Sequence, residues 1–100
     1  MHELTERSRE IAILLDAFDR AAPFALHAHR RAGVAGGLSD REIEGLAARV
    51  APAFRCEQER RVFATTLLLL DRRHLDADEH ADAVAGLGAI GLGELVTLVG

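Results

Sequence analysis

Glu10 and His29 have the residue types that proton transfer needs. A carboxylate beside an imidazole orients the ring and raises its basicity, leaving the second ring nitrogen free to take or give a proton near neutral pH. The two fall near the middle of consecutive helical patterns expected to pack as an antiparallel couple, so their side chains can meet across the seam. The same two residues serve equally as an ion pair that does no more than fix two helices together, because perturbed pairs at functional and structural positions look alike.

Other chemistry-bearing residues fit bland roles better. His27 and His29 form a His-x-His pair, but residues two apart on a helix point away from each other, and helical metal pairs use spacings of three or four. No metal site is expected. Cys56 follows Arg55 at the expected start of a helix, where positive charge and free N–H groups can activate a thiol; packing is the more usual role of a lone cysteine. Gly33, Gly36 and Gly37 follow no strand and precede no Gly-Lys-Ser or Gly-Lys-Thr, so they read as turn and cap rather than as a phosphate loop. His74 and His80 read as solvated, and His2 as frayed with the terminus.

The elements that must position Glu10 and His29 are helices. Leu4, Ile11, Leu14, Leu15 and Phe18 recur at three- and four-residue spacing, predicting an amphipathic helix over 5–20 capped by Thr5. Pro23 suits the first turn of a second helix, which carries Phe24, Leu26, His27 and His29 and stops at Gly36-Gly37. Ser39-Asp40-Arg41-Glu42 is a capping box opening a third helix, with Ile43, Leu46, Ala47 and Val50 on its inner face until Ala51-Pro52 breaks it. A fourth helix over 57–70 carries Leu67-Leu68-Leu69-Leu70, leaving little polar face, so it is central or covered by another subunit. Asp76-Ala77-Asp78-Glu79 opens a fifth, with Val84, Ala85 and Leu87 inward until Gly88, and a sixth begins near residues 91–94. Alternation is absent, Trp and Tyr are missing, and Ala, Leu, Arg and Glu dominate. The expected fold class is all-α, with about six helices in one domain over residues 1–100.

A net charge of -4, with twelve basic residues scattered among sixteen acids, leaves no stripe for phosphate neutralisation. Nucleic acid is not an expected partner. One cysteine excludes an internal disulfide framework and suits a reducing cytosol. No apolar run approaches about 18 residues, and the first residues lack the order of a signal peptide, so a cytoplasmic protein without a membrane partner is expected.

The stretch over 21–46 resembles the active-site segment of the carboxymuconolactone decarboxylase and AhpD-like family. Redox members of that family carry Cys-x-x-Cys-x-x-x-His on a helix, with a glutamate twelve residues before the first cysteine. His29 fixes the register, Gly37-Leu38-Ser39 matches the following Gly-Leu-Ser/Thr, and Arg9-Glu10-Ile11-Ala12-Ile13-Leu14 is similar to the family's Arg-Glu-Leu-x-Ile-Leu. The two cysteine positions fall on Ala22 and Ala25. Weaker similarity continues through Ala51-Pro52-Ala53-Phe54, Glu59, Arg73-His74-Leu75-Asp76 and the final Gly93-Glu94-Leu95-Val96-Thr97-Leu98-Val99-Gly100, where the family's last helix runs several turns further; the chain is either a fragment or has lost its final element.

The resemblance implies an AhpD-like helical bundle, a homo-oligomer (trimer or hexamer), and cofactor-free acid-base chemistry of the decarboxylase or lactone-processing kind on a small carboxylated molecule. Glu10 would orient His29, and His29 would shuttle the proton. Phe24, Leu26 and His27 would line the substrate pocket, with Arg30 or Arg31 meeting a substrate carboxylate. A two-thiol peroxidase or disulfide reductase is disfavoured, since alanine supplies neither the attacking nor the resolving thiol. A non-catalytic oligomeric binding module that keeps the helices alone is the alternative.

Overall fold

The computed structural model describes residues 3–20 and 23–99, with the backbone alone for residues 23–25. His2, Ala22 and the side chains of Phe24 and Ala25 lie outside the described residues. The chain is all-α, with no strand among the described residues: α1 (Glu6–Arg20), α2 (Pro23–Ala35), α3 (Asp40–Ala47), α4 (Glu57–Arg72) and α5 (Ala77–Val99). The radius of gyration is 12.5 Å.

α1 is the hub, packing against each of the other four helices. Thr5 caps it, its Oγ1 accepting from the Ser8 N–H at 3.1 Å. Its buried stripe of Ile11, Ala12, Leu14 and Leu15 joins Ile43 and Leu46 of α3, Val62 and Leu70 of α4 and Leu87 and Leu95 of α5 in one core. Burying each such aliphatic side chain is worth about 1.5–3 kcal/mol, which is what draws α3, α4 and α5 onto α1.

Backbone chemistry sets the helix ends. α2 closes in a Schellman turn, with Leu38 N–H donating to the Gly33 carbonyl at 2.9 Å and Gly37 N–H to that of Val34 at 3.1 Å. Gly37 takes the required positive φ of 104°. The Ser39/Glu42 capping box opens α3, and the reciprocal Asp76/Glu79 bonds open α5.

The third helix ends earlier than its sequence predicts. Arg49 adopts φ 57°, and the N–H of Val50 donates back to the Gly45 carbonyl at 2.8 Å, so the helix stops before Ala51-Pro52 is reached. Val50, beyond that stop, is 62% exposed, and Ala47 in the last turn is exposed as well; neither faces inward as expected. In α5 the inward alanine is Ala83 rather than Ala85.

The two helices expected after residue 76 lie within one element, α5, in which two helical stretches meet at a kink at Gly88 (φ 77°, ψ 161°), the position where the fifth helix was expected to end. That backbone is open to glycine at little cost. With 23 residues and a mean hydropathy of 1.6 over its apolar window, α5 is long and apolar enough, by length and composition alone, to cross a membrane. The kink at Gly88 divides that length into two shorter helical stretches. Only 33% of that window is buried within the chain, and Ile90 and Val96 are 53% and 48% exposed. The Leu67–70 run of α4, by contrast, is buried or half-buried inside the fold.

Candidate functional site

Glu10 lies on the flank of the α1 stripe, next to the buried Ile11, and faces the C-terminal turn of α2. The approach is close: a Cβ built on Gly36 would fall 2.7 Å from Glu10 Cγ. The carboxylate Oε2 is buried and has no hydrogen-bond partner. Burial pushes the Glu10 carboxyl above its ordinary range, and the negative charge of Glu6 adds to the effect; positive charge at His29 and Arg9 opposes it. A carboxyl in this position holds its proton to a higher pH than a solvated glutamate.

His29 is half-buried on α2 and within electrostatic reach of Glu10. The two share no hydrogen bond or ion pair in this conformation. The structure thus brings the pair to one seam without the bond that would orient the imidazole. Leu26 is half-buried and His27 exposed on the same helix.

Glu10 also borders an open cleft of about 470 Å³ between α1 and the last turns of α5, lined by Arg9, Glu10 and Ile13 on one side and by Glu94, Thr97 and Leu98 on the other. Neither Leu26, His27 nor His29 lines it. The cation at this cleft is Arg9. Arg30 is engaged elsewhere, bonded to Glu44 at 3.1 Å with its guanidinium carbon 5.3 Å from the centre of the Phe18 ring. Arg31 is exposed. Arg9, Glu94 and Thr97 escaped the sequence reading. A signal for Arg9 existed in its adjacency to Glu10, but nothing local announces that the end of α5 lies opposite.

The polar network that holds α1 in place was also invisible in sequence. Arg7 donates Nε to Glu59 Oε2 at 3.0 Å and Nη2 to Glu59 Oε1 at 3.1 Å, and reaches Glu42 Oε2 at 2.5 Å. It also donates to the Gly37 carbonyl. The Arg7 guanidinium holds the Glu42 carboxyl down at about 2 and lowers that of Glu59. One cation therefore ties together α1, the α2–α3 turn, the α3 capping box and α4. A second bridge, Arg49 to Asp19 at 2.8 Å and to Asp71 at 2.7 Å, ties the far ends of α1 and α4.

Cys56 is exposed at the N-cap of α4 with extended backbone (φ -154°), and its side chain makes no cap bond. Among the described residues no three His, Cys, Asp or Glu side chains cluster closely enough to hold a metal ion.

Compared with family models, with curated proteins and with solved structures, the chain matches none.

Proposed function

We propose that this protein is a cofactor-free acid-base catalyst of the carboxymuconolactone decarboxylase type, acting on a small carboxylated or enolisable molecule, with Glu10 as its proton-handling group. The observation that carries the reading is the Glu10 carboxyl: desolvated, with one oxygen unpartnered, at the edge of an open cleft. Proton affinity raised towards the working pH is what a general acid or base requires. In a decarboxylation the breaking C–C bond leaves its electron pair on the substrate as an enolate, carbon dioxide departs, and protonated Glu10 delivers its proton to the carbon left behind. His29, across the seam, tunes the charge of Glu10 and re-equilibrates its proton after turnover. Arg9 meets the substrate carboxylate, a role the cleft gives to it rather than to Arg30 or Arg31.

The AhpD-like bundle and a homo-oligomer, trimer or hexamer, belong to the same proposal. Its support is the apolar face of α5, most of which the chain itself leaves uncovered. A panel of carboxylated lactones and β-keto acids, followed by absorbance and carbon dioxide release, tests the activity; turnover lost in Glu10→Gln with an unchanged helical spectrum supports it, and turnover unaffected by that substitution rejects it.

One observation favours a second reading, a non-catalytic oligomeric binding module: His29 makes no bond to Glu10 and does not line the cleft. Its signature is a silent panel together with an oligomer mass unchanged by substitution of Glu10 and His29. Two-thiol redox chemistry has no place in either reading, because the chain has one cysteine.

A further inference from the structure

A second cleft lies beside α5, adjoining the first at Gly93 and not lined by Glu10. It occupies about 490 Å³ between the end of α4 and α5, with an apolar floor that includes Leu69, Leu75, Leu92 and Val96 and with Arg73 and His80 among its lining. No acidic side chain lines it. The volume falls within the range of small-molecule sites.

Arg73 is the informative residue. It stands at the left-handed C-cap of α4, φ 63°, ψ 6°, with its N–H donating to the Leu69 carbonyl at 2.8 Å. Glycine is the usual occupant of such a position, and a side chain there carries some backbone strain. Strain held at the mouth of a cleft points to a use for the side chain. The neighbouring Arg72 is neutralised by Glu79, whereas the Arg73 guanidinium makes no ion pair among the described residues. Apolar floor and cationic mouth together match one ligand chemistry, an alkyl chain ending in an anion.

We propose that this cleft binds a medium-chain carboxylate, its chain along Leu69, Leu92 and Val96 and its head group at Arg73 and His80. A second copy of this chain fits the charges less well. Beyond Gly88 the only ionisable residue of α5 is Glu94, which already accepts from the N–H of Glu3, so a second α5 face brings Arg73 no free counter-charge.

Titration of the full chain with dodecanoate below its micelle concentration, followed by calorimetry and by amide chemical shifts, tests the site, with dodecanol and dodecyltrimethylammonium as uncharged and cationic controls. Saturable binding of one dodecanoate, with shifts confined to the α4–α5 cleft and binding at least about fivefold tighter than either control, is the expected result. Arg73→Gly separates binding from folding: relief of the left-handed strain raises the melting temperature by a few degrees while dodecanoate affinity falls about fivefold or more. Equal binding of carboxylate and alcohol, or undiminished binding by Arg73→Gly, overturns the proposal. So does sedimentation in which dodecanoate binds only as an oligomer dissociates, since the cleft is then a contact between subunits.

Discussion

Gly36 leaves open the space through which Glu10 passes: a Cβ on Gly36 would sit 2.7 Å from Glu10 Cγ and 3.3 Å from the Ala32 carbonyl oxygen. The atom displaced is near the root of the glutamate side chain and cannot swing aside without moving the carboxyl. Gly36→Ala is expected to destabilise the fold by about 1–3 kcal/mol and to push the carboxyl out of its buried position. Urea unfolding measures the first effect, and a drop in the Glu10 titration midpoint towards that of a solvated glutamate reports the second.

Arg7 faces two carboxylates with side-chain exposures of 11% for itself, 15% for Glu42 and 4% for Glu59. Removing the cation strands both acids. Arg7→Met is expected to cost about 3–5 kcal/mol in denaturant unfolding, and Arg7→Met with Glu59→Met to recover part of that loss, because the penalty comes from unpaired buried charge rather than from lost attraction.

Acid should weaken the same network over a defined window. The folded-state value for Glu42 is depressed, from 4.5 to about 2, and that for Glu59 is lowered in the same direction. The unfolded chain therefore binds more protons as pH falls, so stability is complete above about 4.5 and is lost on the way down to about 2. Glu10 has the opposite sign: its carboxyl is raised, so it favours the folded state at low pH and opposes it once the unfolded chain ionises. Glu10→Gln is expected to be at least as stable as the parent at pH 7 and to show the same acid limb, while Glu42→Gln flattens that limb. Melting temperatures across pH 2–7 check both.

The uncovered side of α5 gives a separate expectation about assembly. Ile90 is 53% exposed in an apolar helix. Ile90→Arg should lower the sedimenting mass towards that of the 10.8 kDa chain without altering the helical spectrum. An unchanged mass places the contact elsewhere.

Local signals made much of the fold legible. Thr5, Ser39 with Glu42, and Asp76 with Glu79 each cap a helix through bonds that span three residues, and the Leu4, Ile11, Leu14, Leu15 spacing marks the buried face of α1. Glu10 stands out in the sequence because it lies on that helix beside a recognisable pattern. What escaped was long-range or conformational. Arg7 meets Glu42 and Glu59 from 35 and 52 positions away, and no periodicity encodes that choice of partners. The stop at Arg49 depends on a left-handed backbone that a non-glycine residue seldom advertises. The break at Gly88 was legible, but not that α5 runs on beyond it as a single apolar element. The cleft at Glu10 needs the end of α5 laid across the start of α1, a tertiary fact that neither helix carries alone.

The most direct test of the central claim is a carboxyl-detected NMR titration of Glu10 in the full chain and in His29→Gln. The expected midpoint lies above 4.5 and rises further when the opposing charge at His29 is removed. A midpoint at or below 4.5, unmoved by His29→Gln, would show a solvated glutamate with no electrostatic link to the imidazole, and would contradict the proposed proton-handling role.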